Sequence, residues 1–170
     1  MIISKNENWF IIENKDKNTI SFNTKIKSDL NIFSFEKKGQ WNIYFDQEWE
    51  YEAFWVEVKW YDLWDNLNAC FVAKIDWKNV FLLDWKVSWF NEKVFWKIDE
   101  VDVLVVNIPE NFNNIDLVKT ISEKSSAKII VFSWDKEKIK NKFEKLENSE
   151  DWEWKVKIWV NPDNTKFIFI

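Results

Sequence analysis

The chain has 170 residues, the length of one domain spanning 1–170, and its 46% hydrophobic content provides for a sizeable core. A formal net charge of −5 argues against a phosphate-tracking surface, because nucleic-acid binders carry a basic patch or stripe. No apolar run approaches the roughly 20 residues that span a bilayer, and the single cysteine, Cys70, excludes an internal disulfide.

No nucleic-acid or membrane partner is therefore expected, while a protein partner or a homo-oligomer stays open. One cysteine suits a reducing compartment. Lys5, Asn6 and Glu7 follow Met1-Ile2-Ile3 directly, so no signal peptide is expected and the expected location is the cytoplasm.

Short strands are predicted at Trp9–Glu13, Thr19–Asn23, Asn31–Phe35 and Asn42–Phe45, separated by Asn, Asp, Lys and Ser. Glu48, Glu50 and Glu52 alternate, which places all three on one strand face. A solvated face explains them, and an acid–base pair is the rival reading. Firmer strands follow at Val56–Tyr61, Ala69–Ile75 and Asn79–Asp84, the last two joined as a hairpin through Asp76-Trp77. Cys70 lies inside Ala69-Cys70-Phe71-Val72 with no histidine to activate it, so a small core residue is expected there.

Asn91–Lys97 reads as a short amphipathic helix. Val101–Ile108, apolar but for Asp102 and Asn107, reads as a strand covered on both faces. Asn114–Lys124 is predicted helical, with Ile115, Val118 and Ile121 on one face and Asp116 in the first turn, where the dipole favours an anion. Lys128–Phe132 is another buried strand, and Asp135–Asn148 a helix whose Lys and Glu form its wet side. Val156–Val160 and Lys166–Ile170 close the chain as a strand pair around Asn161-Pro162-Asp163-Asn164. Strands first and βαβ-like units later indicate sheets with helices packed outside them.

The residue counts are unusual. Every basic residue is lysine, glycine occurs once, tryptophan fourteen times and histidine never. An average chain of this length would hold roughly 12 glycines. Several tryptophans stand where turns should be, as in Asp76-Trp77-Lys78, Asp84-Trp85-Lys86 and Asp151-Trp152-Glu153-Trp154. Asp-Gly is the favoured pair for a two-residue hairpin, because the turn needs positive φ. Some bacteria read the UGA codon as glycine where a common alternative table reads tryptophan. The expectation is that most of these tryptophans are glycines in the organism. The rival is literal: a Trp-rich module that stacks on sugar rings.

With glycine read for tryptophan, Phe45–Tyr61 resembles a "GPGEYEVxGVxIxGY" stretch of the metallo-β-lactamase-fold hydrolases, in the branch similar to ascorbate-phosphate lactonases. Asn68–Asp84 resembles the next segment of that branch, Ile98–Pro109 its "lgdvDVLlIPv", and Lys128–Val131 its "KIVIPMHY" strand. The resemblance is good over about residues 45–135. It implies an α/β (α+β) fold, a shortened αβ/βα sandwich of the metallo-β-lactamase type, with peripheral helices missing.

The resemblance also implies a zinc site built from an HxHxDH loop, two further histidines and a bridging aspartate, which would activate a bound water. This chain departs from that pattern. Phe35 and Lys37 stand where the first two ligand histidines would be, Gly39 and Gln40 where the Asp-His pair would be, and Trp134 at a later histidine. Asp84 alone stays in register, as a vestigial metal ligand or simply a turn residue. The expectation is a Zn-dependent hydrolase-like protein with no catalytic residues, the ancestral zinc site lost and no cofactor. An active hydrolase with carboxylate ligands, Asp84 and Glu36, is the alternative.

Overall fold

Alternating and continuous apolar runs dictate two kinds of strand, and the computed structural model contains both. It describes residues 1–6, 9–22, 28–33, 42–44, 50–53, 56–62, 69–83, 98, 100–107, 115–133, 149–151, 155–158 and 164–170. The strands in chain order are β1 (Ile2–Asn6), β2 (Trp9–Glu13), β3 (Thr19–Phe22), β4 (Leu30–Phe33), β5 (Asn42–Tyr44), β6 (Glu50–Ala53), β7 (Val56–Asp62), β8 (Ala69–Ile75) and β9 (Lys78–Leu83). Then come β10 (Val103–Val106), the helix α1 (Ile115–Ser125), β11 (Ile129–Phe132), β12 (Ser149–Asp151), β13 (Lys155–Lys157) and β14 (Lys166–Phe169). The helices expected at 91–97 and 135–148 lie outside the described residues.

Six strands form one sheet in the order β13-β1-β2-β3-β4-β5, and eight form the other in the order β12-β14-β11-β10-β9-β8-β7-β6. In the larger sheet β6 to β9 form an antiparallel meander, whereas β9, β10, β11, β14 and β12 run parallel.

The period-2 pleat divides the parallel strands between two cores. Val80, Leu82, Val103, Val105, Ile129 and Val131 join Ile3, Phe10, Ile12, Ile20 and Leu30 of the smaller sheet, and this layer glues the sheets together. Phe81, Leu83, Leu104, Val106, Ile130 and Phe132 face the other way and pack with Val118 and Ile121 of α1. Strands buried on both faces explain why these segments read as unbroken apolar runs. Asp116 does sit in the first helical turn, Lys124 in the last, and the helix is followed by Ser126 at φ 51°, a left-handed stop.

The last two strands, expected as a pair around residues 161–164, do not pair with each other. β13 pairs antiparallel with β1 in the smaller sheet, Ile3 opposite Val156, while β14 lies between β11 and β12 in the larger one. Their burial shows why: Lys155-Val156-Lys157 alternates exposed, buried, exposed, whereas Phe167, Ile168 and Phe169 are all buried.

Two turns are held by side chains. The Asn14 carboxamide oxygen accepts from the N–H groups of Asp16 (3.0 Å) and Asn18 (2.9 Å), which closes the β2–β3 connection. The Asp29 carboxylate accepts from the Thr19 N–H (2.7 Å) and its hydroxyl (2.8 Å), tying the start of β3 to the segment entering β4. The Thr19 N–H, and then its hydroxyl, hold the Asp29 carboxyl below the usual carboxylate range. A depressed folded-state pKa adds stability that is complete above the unfolded value and fades as pH falls through the folded one. Asp29→Asn is therefore expected to flatten the acid limb of the stability profile below about pH 4. Urea unfolding between pH 2.5 and 6 reads this, and an unchanged acid limb refutes it.

Candidate functional site

The parallel strands bring their carboxyl ends to one edge. Val106 pairs with both Leu83 and Phe132, and Phe132 with Phe169, so β9, β10, β11 and β14 stop in register. In open α/β sheets the crevice beyond such carboxyl ends is where ligands bind.

The first residues past β10 and β11 are polar and buried. Asn107 is 9% exposed and Ser133 7%. Backbone hydrogen bonds carry the ladder one step further, from Asn107 N–H to the Leu83 carbonyl (3.4 Å) and from Ser133 N–H to the Val106 carbonyl (3.2 Å). The two side chains are thereby set face to face, and the Ser133 hydroxyl donates to the Asn107 carboxamide oxygen at 2.7 Å.

Of the residues singled out from sequence, Asp84, Phe35, Glu36, Lys37, Gly39, Gln40, Glu48 and Trp134 lie outside the described residues. Cys70 pairs in register with Leu83 across β8 and β9, which places it beside the same edge. Glu50 and Glu52 are in β6, and Glu52 is exposed, in keeping with a solvated face. Asn107 and Ser133 were not anticipated. Their signal is legible: each is the first polar residue after a four-residue buried strand, at the end where α/β folds place their sites.

The opposite end of the sandwich is held by Asp76. Its carboxylate accepts from the Lys15 N–H through both oxygens (3.1 and 2.9 Å) and pairs with the Met1 amino group at 3.1 Å. One side chain in the β8–β9 turn thus fastens β1 and the β2–β3 turn to the larger sheet. Beside it lies an open hollow of about 200 Å³, lined by Lys15, Asp16, Glu52, Glu57, Lys74 and Trp77 among others. Charges of both signs line it, and Glu57 is bonded to Lys59 at 3.0 Å.

The β8–β9 turn itself is left-handed at both central residues, Asp76 at φ 51° and Trp77 at φ 66°. That is the geometry of a primed two-residue hairpin, where Asp-Gly is favoured. Trp77 is 83% exposed, and the Lys74 ammonium lies 5.9 Å from its ring centroid.

No family model and no curated protein matches the chain. Among solved structures, it resembles the crystal structure of a Thermotoga maritima protein provisionally assigned as a Zn-dependent hydrolase of the metallo-beta-lactamase superfamily. The TM-score is 0.79 at 17% identity, over 99% of this chain and 97% of that one. The chain has the metallo-β-lactamase fold. Nearly all of that neighbour has a counterpart here, so the expected shortening is not a shortening relative to it.

Zinc is held by Cys, His and Asp or Glu side chains. The chain has no histidine, and among the described residues no three Cys, Asp or Glu side chains group so as to hold a metal. Among the described residues, the carboxyl edge has a carboxamide and a hydroxyl bonded to each other, both neutral and weak as zinc ligands. The described residues do not fit the ion. Among the described residues, no helix is long and apolar enough to cross a membrane.

Proposed function

We propose that the chain is a non-catalytic relative of the metallo-β-lactamase-fold hydrolases that retains the sandwich as a binding or assembly module. The observation that carries this reading is a metallo-β-lactamase fold made by a chain without a single imidazole. The neutral Asn107–Ser133 pair at the carboxyl edge supports it. Zinc activates water by lowering its pKa toward 7, and nothing else described at this edge supplies that chemistry.

Metal analysis of the purified protein together with an esterase and lactonase panel tests the reading. The expected result is zinc well below one ion per chain and no turnover. Stoichiometric zinc with turnover abolished in Asp84→Ala would establish the carboxylate-ligand alternative and end the present one.

We also infer that most of the tryptophans are glycines in the organism. Trp77 supports this, because it occupies the left-handed second position of the hairpin turn with its ring in solvent. A residue with a Cβ pays about 1–2 kcal/mol for left-handed geometry that glycine adopts freely. Glycine returns part of that through greater unfolded-state freedom, about 0.4–1 kcal/mol. In protein made with tryptophan, Trp77→Gly is accordingly expected to raise stability by about 1 kcal/mol. Urea unfolding reads the gain, and a loss would count against a glycine-type turn. Intact mass of the native protein decides the wider inference: a mass matching fourteen indoles rejects it.

A further inference from the structure

Met1 is held from three directions. Its carbonyl accepts from the Ile158 N–H at 3.0 Å, just past β13 in the smaller sheet. Its side chain packs against the core between the sheets. Its α-ammonium lies 3.1 Å from Asp76 Oδ2, in the turn between β8 and β9 of the larger sheet. The same carboxylate takes the Lys15 N–H through both oxygens. The α-nitrogen is thus one end of a bridge from β1 to the other sheet. The Asp76 side chain is only 14% exposed, so solvent screens the pair less than at an open surface.

The chemistry of the nitrogen decides whether that bridge holds. An ammonium offers three donors and a full positive charge to the carboxylate. An acyl group on the same nitrogen leaves one N–H and no charge, and it brings a carbonyl oxygen close to the carboxylate. We propose that the Met1 α-nitrogen is a modification-sensitive clasp: free, it fastens β1 to the β8–β9 turn, and acylated, it lets that end of the sandwich loosen. The covalent step is acyl transfer from a thioester. The nitrogen bonds the acyl carbon, the carbon–sulfur bond breaks, one ammonium proton leaves with the thiol and a second goes to solvent. Asp76 then keeps the Lys15 N–H and loses its counter-charge. β1 stays paired with β2 and β13 through its ladder, so the strand remains while its tie to the larger sheet weakens. The inference does not depend on the non-catalytic reading above.

The full chain in three forms tests it: Met1 free, Met1 acetylated on the α-nitrogen, and one serine placed before Met1, each in the wild-type and Asp76→Asn backgrounds. Intact mass establishes each form. In the wild type, acetylation and extension are each expected to raise the unfolding equilibrium constant in urea by about tenfold, the loss of a charge-assisted hydrogen bond. In Asp76→Asn the same changes are expected to move it by less than about twofold, because the charge they act on is already gone. An acetylated chain that unfolds like the free one overturns the clasp, and so do equal losses in the two backgrounds. A second measurement needs no variant. Phenyl isothiocyanate is expected to label the Met1 nitrogen more slowly in the folded chain than in the urea-unfolded chain, because folding holds that nitrogen as an ammonium against Asp76. Equal rates overturn the clasp as well.

Discussion

Phe132→Ala is expected to destabilise the protein by about 3–5 kcal/mol, the range for truncating a fully buried aromatic. Phe132 has no exposed surface and closes β11 at the carboxyl edge. Its ring lies nearly parallel to Phe167, with centroids 6.4 Å apart and planes 2° apart, and stacks on Phe169 at 5.4 Å and 21°. Such pairs add about 0.5–1.5 kcal/mol beyond the area they bury. Truncation would leave two rings of β14 facing a void, in a layer that also holds Ile121 of the helix. Native stabilities lie at about 5–15 kcal/mol, so a loss of this size leaves a marginal fold. Thermal and urea unfolding of Phe132→Leu beside Phe132→Ala separates ring stacking from volume. A cost below about 1 kcal/mol for the alanine variant contradicts the packing described.

Asp76→Ala is expected to cost about 3 kcal/mol, for two separable reasons. The carboxylate holds the Lys15 N–H with both oxygens and the Met1 ammonium beside it, and hydrogen bonds to charged groups contribute about 1.5–3 kcal/mol. The backbone at 76 is also left-handed, which aspartate and asparagine tolerate and alanine does not, a further ~1 kcal/mol. Asp76→Asn keeps the second and loses most of the first, so its cost should be about half that of alanine. Equal costs for the two variants would mean that the contacts, not the turn, account for the whole effect. If asparagine matches wild type, the ion pair contributes nothing.

The sequence makes the hairpin and the parallel strands legible because each carries a local rule. β8 and β2 begin and end where alternation and flanking polar residues predict. Val103–Val106 and Ile129–Phe132 betray two-sided burial by being apolar without a break. β1 and β12 escaped notice. Ile2–Asn6 is short and mostly polar after Ile3, and Ser149–Asp151 has no apolar residue at all. Both are strands by virtue of their neighbours, β13 and β2 for one, β14 for the other. The misplaced closing pair has the same origin. A short polar connection suggests a hairpin, yet alternating Lys155-Val156-Lys157 and unbroken Phe167-Ile168-Phe169 belong to different environments. The candidate site was hidden for a chemical reason: a search guided by ionisable and metal-ligating residues passes over a serine and an asparagine.

The swap of the final strands between sheets bears on how the protein is made. Residues 155–170 supply β13 to one sheet and β14 to the other, and Ile3 waits for Val156 from far along the chain. Contacts at such sequence distance form late, after local hairpins. Until those residues have left the ribosome, β11 and β1 each show a bare, aggregation-prone flank. Both sheets are therefore expected to be completed only once residues 155–170 are free to pair.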